Sequence, residues 1–144
     1  MSLAYFDTSA LVKNYVQEAG SIRVRKLLGH YEFVSAAIAP IELYSAVRRR
    51  YRLGEITKPN YNSVLSRVKQ DRLFWQLVET VPQVLAKAEE IVVGYNVRTI
   101  DAIHLASAII LQESIGAQLP FITADDRQLA AAYDFELETI PVKP

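Results

Sequence analysis

The 144-residue sequence predicts an α/β fold of three layers, with helices on both faces of a central, mostly parallel sheet of four to five strands. Short apolar runs alternate along the chain with longer segments of helical periodicity, and strands separated by helices pair in parallel. No internal repeat or Gly/Ser-rich linker interrupts the sequence, and its length is that of one ordinary domain. We therefore expect a single domain over residues 1–144.

The first strand is predicted over Leu3–Phe6, a short apolar run that ends at Asp7. Thr8 or Ser9 can cap the helix that follows, whose apolar residues recur at three- and four-residue spacing. These apolar residues are Leu11, Val12, Tyr15 and Val16, and they extend the predicted helix to about residue 16. Pro40 suits the first turn of a later helix, and Gly54 can end it. Up to residue 74, we further predict a helix over Ser21–Leu28, a strand over Phe33–Ala36, a helix from Pro40 to about Leu53 and a helix from Thr57 towards Phe74.

The second half of the chain continues this alternation. Pro82 suits a first helical turn, and Gly116 suits the end of a helix. Glu136–Val142 alternates polar and apolar residues, which is typical of an edge strand. From residue 76, we predict a strand over Gln76–Val81, helices from Pro82 to about Tyr95 and over Thr99–Ser114, a strand over Pro120–Thr123, a helix over Arg127–Tyr133 and the edge strand.

Composition excludes several classes of protein. Hydrophobic residues make up 51% and charged residues 22% of the chain, which is too apolar for a disordered tail. The absence of cysteine excludes a disulfide scaffold, a thiolate zinc site and a cysteine nucleophile, and fits a reducing cytoplasm. Ala102–Gln112, which lacks Asp, Glu, Lys and Arg, is far shorter than the roughly 20 apolar residues that span a bilayer. We expect a cytoplasmic protein with no signal peptide and no membrane partner.

The charges are unevenly distributed along the chain. Sixteen basic and sixteen acidic residues give a formal net charge of zero, which by itself argues against a nucleic-acid-coating protein. The segment Ile41–Arg72, however, holds eight basic and three acidic residues, so it carries a net charge of +5. The remainder of the chain therefore carries −5, and the neutral total does not exclude an RNA partner.

Four acidic residues occupy positions where a parallel sheet places its ligands. Asp7 is the first residue after the first predicted strand and Asp125 is the second residue after the fourth, and ligands of open parallel sheets gather beyond the carboxyl ends of the strands. Glu42 and Asp101 lie in the first turns of predicted helices, and they join the other two only if those helices begin at the same edge. Taken singly, each acid also suits a helix cap or a partner for the helix dipole, so the hypothesis of a site depends on all four.

Four converging carboxylates repel one another and cannot all stay ionised unaided. A divalent cation resolves this conflict, and an all-oxygen set of ligands favours Mg²⁺ or Mn²⁺ over zinc. Such a centre lowers the pKa of a bound water and neutralises charge on phosphate oxygens, which is the chemistry of phosphodiester hydrolysis.

The acidic residues stand in segments that resemble the four motifs of PIN-domain ribonucleases. The first is Phe6-Asp7-Thr8-Ser9-Ala10-Leu11-Val12-Lys13, and the others are Ile41-Glu42-Leu43, Thr99-Ile100-Asp101-Ala102-Ile103-His104-Leu105-Ala106 and Ile122-Thr123-Ala124-Asp125. Their order and spacing agree with the family over essentially the whole chain. Because the 144 residues match one such domain and no other domain is evident, the chain looks like a VapC-type toxin of a toxin–antitoxin pair.

This resemblance implies a Mg²⁺- or Mn²⁺-dependent endoribonuclease. It makes Asp7 and Asp101 the principal metal ligands, with Glu42 and Asp125 completing the site directly or through metal-bound water. It further implies a protein antitoxin that blocks the acidic pocket, and a homodimer. Hydroxyls that orient ligands or water come from Thr8, Ser9 and Thr123.

Two residues near the proposed site have open roles. Asp126 adjoins Asp125, although the Thr-x-Asp spacing of the motif favours Asp125. His104 lies three residues after Asp101 on the same helical face, where it is either a metal ligand or proton shuttle, or a packed histidine behind the site. The family mechanism needs no histidine, which favours the packed histidine.

RNA contacts are predicted on the helix that carries Glu42. Arg49 lies seven residues after Glu42, on nearly the same face, and Arg48 and Arg52 are close by. Arginines on an exposed helix face can contact RNA phosphates and add salt-sensitive affinity. The alternative is that these arginines only form a solvated, charged helix face.

Two alternative functions compete with the ribonuclease. The chain could be a non-catalytic PIN-like module that binds RNA or protein, since intact acids do not demonstrate turnover. It could also be a haloacid-dehalogenase-like phosphatase, whose nucleophilic Asp follows the first strand. That family requires a second Asp two residues later, where this sequence has Ser9.

Overall fold

The computed structural model describes residues 1–143 and contains a five-stranded sheet in which every strand pairing is parallel. The strand order is β3-β2-β1-β4-β5, so β1 is central and β5 lies at an edge, as predicted. The strands are β1 (Leu3–Phe6), β2 (Glu32–Ala36), β3 (Gln76–Val78), β4 (Pro120–Thr123) and β5 (Glu138–Pro141). The predicted α/β class with a parallel sheet is confirmed.

Between residues 1 and 143, seven α-helices connect the strands. They are α1 (Thr8–Leu11), α2 (Ser21–His30), α3 (Ala39–Arg52), α4 (Lys58–Asp71), α5 (Pro82–Gly94), α6 (Thr99–Ile115) and α7 (Asp126–Asp134). Short 3₁₀ turns extend α1 over Val12–Asn14 and α4 over Arg72–Phe74. The predicted helix after β1 is thus only one α-turn followed by a 3₁₀ turn, and α2 continues through Gly29, where a stop was expected.

The apolar core is divided between the two faces of the sheet. Successive side chains of a strand point to opposite faces, so Tyr5 packs on one side of β1 while Ala4 and Phe6 pack on the other. Tyr5 lies in a cluster with residues of α5, α6 and α7, whereas Phe6 packs with Val24 of α2. Helices therefore cover both faces, as the sequence predicts.

The register of the central strands places their ends side by side. Phe6 pairs with Ile122, and the Asp7 N–H donates to the Ile122 carbonyl at 3.0 Å. The residues after β1 and those after β4 consequently emerge together at the carboxyl edge of the sheet. Helices α3 and α6 pack against this part of the fold and bring their own first turns to the same edge.

Within residues 1–143, no helix is long and apolar enough to cross a lipid bilayer.

Candidate active site

The four predicted carboxylates line one small pocket at the carboxyl edge of the sheet. The pocket has a volume of about 200 Å³ and is also lined by Thr8, Ser9, Val12, Ala46 and Arg98. Asp7 comes from the end of β1, Glu42 from the first turn of α3, Asp101 from the first turn of α6 and Asp125 from the link between β4 and α7. The tertiary structure thus brings together acids that are separated by up to 118 positions in the sequence.

Asp7 is buried at the centre of a hydroxyl network. Its Oδ1 accepts from the Ser9 N–H at 2.7 Å, and its Oδ2 accepts from Ser9 Oγ at 2.8 Å and from Thr123 Oγ1 at 2.5 Å. The bond to the Ser9 N–H makes Asp7 the N-cap of α1, so the prediction that Thr8 or Ser9 caps this helix is wrong. Asp7 takes this role because its carboxylate accepts an orphan N–H of the first turn while Ser9 bonds back to it.

Burial raises the pKa of Asp7, although the charge of His104 and the bonds from Thr123 and Ser9 oppose this effect. Removing a carboxylate from water disfavours its charged form, and hydrogen bonds and nearby positive charge restore part of the loss. The ionised form of Asp7 would therefore be stabilised by a cation in the pocket.

The three hydroxyls predicted near the site all contact its carboxylates. Ser9 and Thr123 bond to Asp7, as described, and their own oxygens are 3.2 Å apart. Thr8 Oγ1 donates instead to Glu42 Oε1 at 2.8 Å. Backbone N–H groups of Ala124 and Asp125 bond to Ser9 Oγ and Thr123 Oγ1, which ties the end of β4 to the end of β1.

Glu42 is bonded to His104, which lies deeper in the protein. His104 Nε2 is 2.5 Å from Glu42 Oε1, and its Nδ1 is 2.8 Å from the Tyr5 hydroxyl. The histidine is 1% exposed and does not line the pocket. Of the two roles left open by the sequence, the packed histidine behind the site therefore matches its position. Burial alone would lower the pKa of His104, but the bond to Glu42 and the charges of Asp7, Glu42 and Asp101 raise it overall.

Asp101 and Asp125 face an arginine that the sequence-based reasoning did not include. Arg98, the residue before α6, places Nε 3.2 Å from Asp101 Oδ2 and Nη2 4.0 Å from Asp125 Oδ2. Its side chain is 73% exposed, so it covers the pocket from the solvent side. Its position three residues before a motif acid, in the same helical turn, is the signal that could have identified it.

Asp125, rather than Asp126, supplies the fourth carboxylate. Asp125 Oδ1 accepts from the Arg127 N–H at 2.8 Å and caps α7, while Oδ2 points towards Arg98. Asp126 lies in α7 with its side chain 74% exposed and forms an ion pair with Lys143. Asp126 does not line the pocket.

The donor set suits a hard divalent cation, because four carboxylates and several hydroxyls present only oxygen to the pocket. Among residues 1–143, however, no three acidic or histidine side chains are placed so as to hold one ion together. Each carboxylate instead has a partner within the protein: hydroxyls for Asp7, His104 for Glu42, Arg98 for Asp101 and a helix N-terminus for Asp125. The residues fit a metal site by chemistry, and side-chain rotations would be needed to form its coordination shell.

The predicted RNA-binding arginines have different surroundings. Arg48 lies over the stacked rings of Tyr51 and Tyr61, at 5.5 and 5.7 Å from the ring centres. Arg52 is exposed at the end of α3. Arg49 lines a cleft of about 620 Å³ together with Lys13 and Arg50.

This basic cleft adjoins the acidic pocket. Ser9, Val12 and Ala46 line both, so the two form one continuous depression. Arg50 is ion-paired with Glu18 and Glu55, and Lys13 is ion-paired with Glu18. Arg49 has no ion pair with any residue from 1 to 143.

The resemblance to PIN-domain ribonucleases implies an α/β domain with four acids in one site. The structure has an all-parallel sheet with four carboxylates at its carboxyl edge, in agreement with that expectation. Residues 4–134 match the PIN domain family, and the chain belongs to that family. This membership leaves the haloacid-dehalogenase-like phosphatase without support. No curated protein matches the chain significantly in sequence.

Several solved structures share the fold at low sequence identity. A toxin–antitoxin complex from Klebsiella pneumoniae has a TM-score of 0.66 at 14% identity, covering 96% of this chain and 97% of that one. VapBC-5 from Mycobacterium tuberculosis has a TM-score of 0.61 at 16% identity over the full length of both chains. VapC20 from M. tuberculosis, a sarcin–ricin-loop-cleaving toxin, has a TM-score of 0.66 at 14% identity over 89% of this chain and 94% of that one.

Proposed function

We propose that this protein is a divalent-metal-dependent endoribonuclease of the VapC type, the toxin of a toxin–antitoxin pair, formed by one PIN domain over residues 1–144. The observation that carries the proposal is the convergence of Asp7, Glu42, Asp101 and Asp125 on one pocket of a PIN-family chain. The similar structures support the subclass, because all three are described as toxins or toxin–antitoxin complexes.

Asp7 and Asp101 would hold Mg²⁺ or Mn²⁺, with Glu42 and Asp125 completing the site directly or through water. When bound, the ion supplies a more acidic water and offsets charge on the phosphate oxygens. The chain's own residues prepare the pocket. The Ser9 N–H holds Oδ1 of Asp7, the Ser9 and Thr123 hydroxyls hold Oδ2, and Thr8 holds one oxygen of Glu42. Arg98, at the mouth, is free to turn towards a phosphate once Asp101 and Asp125 have another cation.

The RNA backbone would leave the acidic pocket through the basic cleft. The two depressions share three residues, and Arg49 presents its charge there without a carboxylate partner among the described residues. Arg49 lies seven residues beyond Glu42, or about 10 Å along α3, which is a distance of one to two nucleotides. Arg48 and Arg52 would add contacts further from the scissile bond.

The protein partner would be a cognate antitoxin that covers the pocket. The Klebsiella and VapBC-5 structures are described as a toxin–antitoxin complex and as a member of a toxin–antitoxin family, which supports this class of partner. A homodimer in the cytoplasm is the state that the family resemblance implies.

The test is cleavage of a structured RNA pool by the purified protein, with Mg²⁺ or Mn²⁺ and with chelator. We expect cleavage that needs the ion and that is abolished in Asp101→Asn. The proposal would be refuted if the wild type still cleaved RNA in the presence of chelator and the Asp101→Asn variant still cleaved RNA in the presence of the ion. Binding of RNA without cleavage would favour the non-catalytic module, whose supporting observation is that every pocket carboxylate already has a partner within the protein.

A further inference from the structure

Behind the acidic pocket lies a buried polar chain that links the core to Glu42. It runs from the Tyr5 hydroxyl to His104 Nδ1 at 2.8 Å, and from His104 Nε2 to Glu42 Oε1 at 2.5 Å. Tyr5 is 0% exposed and His104 is 1% exposed, whereas the Glu42 side chain is 24% exposed and lines the pocket. The chain therefore begins in the apolar core and ends at the site.

The direction of the bonds follows from the chemistry of the partners. A carboxylate oxygen only accepts, so the proton between His104 and Glu42 belongs to Nε2. When the ring is neutral, Nδ1 accepts from the Tyr5 hydroxyl, and when the ring is protonated, Nδ1 donates to it, while Nε2 donates to Glu42 in both forms. Both ring nitrogens are thus satisfied, and the ring is also held edge-on to Tyr5, with ring centres 5.8 Å apart.

This arrangement leaves one oxygen of Glu42 for the pocket. Oε1 accepts from both His104 and Thr8, while no residue from 1 to 143 donates to Oε2. A glutamate side chain has three rotatable bonds, and only a partner that is itself immobile can restrict it. His104 is such a partner, because it is buried in α6 and bonded at both nitrogens.

We propose that His104 is the positioning residue of Glu42: it holds Oε1 so that Oε2 is presented to the cation and water of the acidic pocket. The inference rests on the proposed function, since the pocket must take a cation. The residue to which this role is assigned lines neither the acidic pocket nor the basic cleft and acts through Glu42. A core histidine that only fills space is the competing explanation.

Two substitutions separate these explanations because each keeps one half of the imidazole. In His104→Gln the amide nitrogen can occupy the place of Nε2 and donate to Glu42, whereas in His104→Asn the shorter side chain reaches only the Nδ1 side, near Tyr5. Both remove the ring and leave a buried amide, so their costs in folding stability should be similar. Urea unfolding checks this match.

The first measurement is Mn²⁺ affinity of the RNA-free protein by titration calorimetry. Residues that orient a metal ligand typically contribute about 10- to 100-fold in affinity. We expect His104→Asn to weaken Mn²⁺ binding by about that factor, as Glu42→Gln does, and His104→Gln by only about threefold. Adding His104→Asn to Glu42→Gln should cause no further loss, because both act through the same carboxylate.

The second measurement detects the hydrogen bond between His104 and Glu42 by NMR. In protein labelled with ¹⁵N-histidine, the Nε2–H of His104 should give a downfield, slowly exchanging proton resonance, which moves upfield in Glu42→Gln and stays in Tyr5→Phe. A resonance that is indifferent to Glu42→Gln would overturn the proposal. Equal losses of Mn²⁺ affinity in His104→Asn and His104→Gln, at matched stability, would also overturn it and assign His104 to packing.

Asp7→Asn distinguishes failure of the inference from failure of the proposed function. If Asp7→Asn loses Mn²⁺ affinity while His104→Asn does not, the metal pocket stands and His104 has no positioning role. If Asp7→Asn binds Mn²⁺ as the wild type does, the metal pocket is misplaced, and both the proposed function and the role of His104 are refuted.

Discussion

The acidic pocket and the arginine-rich face of α3 carry opposite charge, and they are built in opposite ways. Asp7 and His104 are almost entirely buried, and each is bonded to a residue about 100 positions away in sequence. Arg48 and Arg49 are exposed, and Arg48 contacts tyrosines of its own helix and of α4. Buried charges are weakly screened and sensitive to geometry, whereas exposed charges act at longer range and weaken in salt. We therefore expect the pocket to determine chemistry and the arginines to determine affinity.

Replacing Asp7 should have the largest effect. Asp7→Asn removes the charge at the centre of the pocket, and loss of several kcal/mol of transition-state stabilisation corresponds to a fall on the order of 10³-fold in RNA cleavage. The measurement is initial cleavage rate at saturating Mg²⁺. Asp126→Asn is the matched control, because Asp126 is exposed and lies outside the pocket, and its rate should be unchanged. If the two variants cleave alike, the pocket is not the site of chemistry.

Removing the exposed arginines should have an intermediate effect that disappears in salt. The triple variant Arg48→Gln, Arg49→Gln, Arg52→Gln should weaken RNA binding by about tenfold at low salt. Each lost phosphate contact should reduce the slope of log affinity against log salt by about 0.7 for single-stranded RNA. Filter binding at several salt concentrations measures this slope. Lys87→Gln, on α5, should leave the slope unchanged, and a salt-independent loss in the triple variant would contradict the division of roles.

Substitution of Arg98 tests the boundary between the two regions, because this exposed cation lies beside the buried Asp101 and the partly buried Asp125. In the metal-free protein Arg98 contacts Asp101 and Asp125, so an incoming ion must displace it from these carboxylates. Arg98→Gln should therefore tighten Mn²⁺ binding without RNA by about two- to fivefold, the range that exposed ion pairs reach. Arg127→Gln is the control, because Arg127 is exposed and does not line the pocket. Weaker Mn²⁺ binding in Arg98→Gln would show that the arginine supports the site instead of competing for it.

The smallest effect is expected in the pH dependence of stability without metal. The folded-state pKa values of Asp7 and His104 are both raised, so the folded protein holds these protons to higher pH than the unfolded chain does. Their stabilising contributions are present below the unfolded pKa values, about 3.9 and 6.5, and are lost as pH rises through the folded values. Urea midpoints in chelator should therefore fall from pH 5.5 to pH 8.

His104→Gln and Asp7→Asn should each flatten this pH dependence, because each removes one titrating group from the pocket. Saturating Mg²⁺ should raise the midpoint most at pH 8, where the uncompensated charge of Asp7 is greatest. A midpoint that rises with pH in chelator would show that the pocket acids are stabilised as carboxylates by the protein alone.

Local pattern was enough to predict most elements of the fold. Strands β1 and β4 have the predicted bounds, because short apolar runs between turn residues define buried parallel strands. The helix after β1 was predicted too long, since Leu11, Val12, Tyr15 and Val16 pack in the core at helical spacing although the α-helix ends at Leu11. Tertiary packing of the 3₁₀ turn at residues 12–14 imitates the periodicity of a longer helix.

Sequence patterns were enough to predict that the four pocket acids meet. Asp7 and Asp125 follow strands whose parallel pairing brings their ends to one edge of the sheet. Glu42 and Asp101 joined them only on the condition that their helices begin at that edge, together with the resemblance to PIN-domain motifs, and the pocket meets this condition. How each acid is held depends on contacts between distant parts of the chain. The pairing of Glu42 with His104 spans 62 positions and that of Asp7 with Thr123 spans 116. Such partners depend on side-chain rotamers and packing, which local periodicity does not encode, and for that reason the bond between His104 and Glu42 and the contact of Arg98 with Asp125 emerge only from the fold.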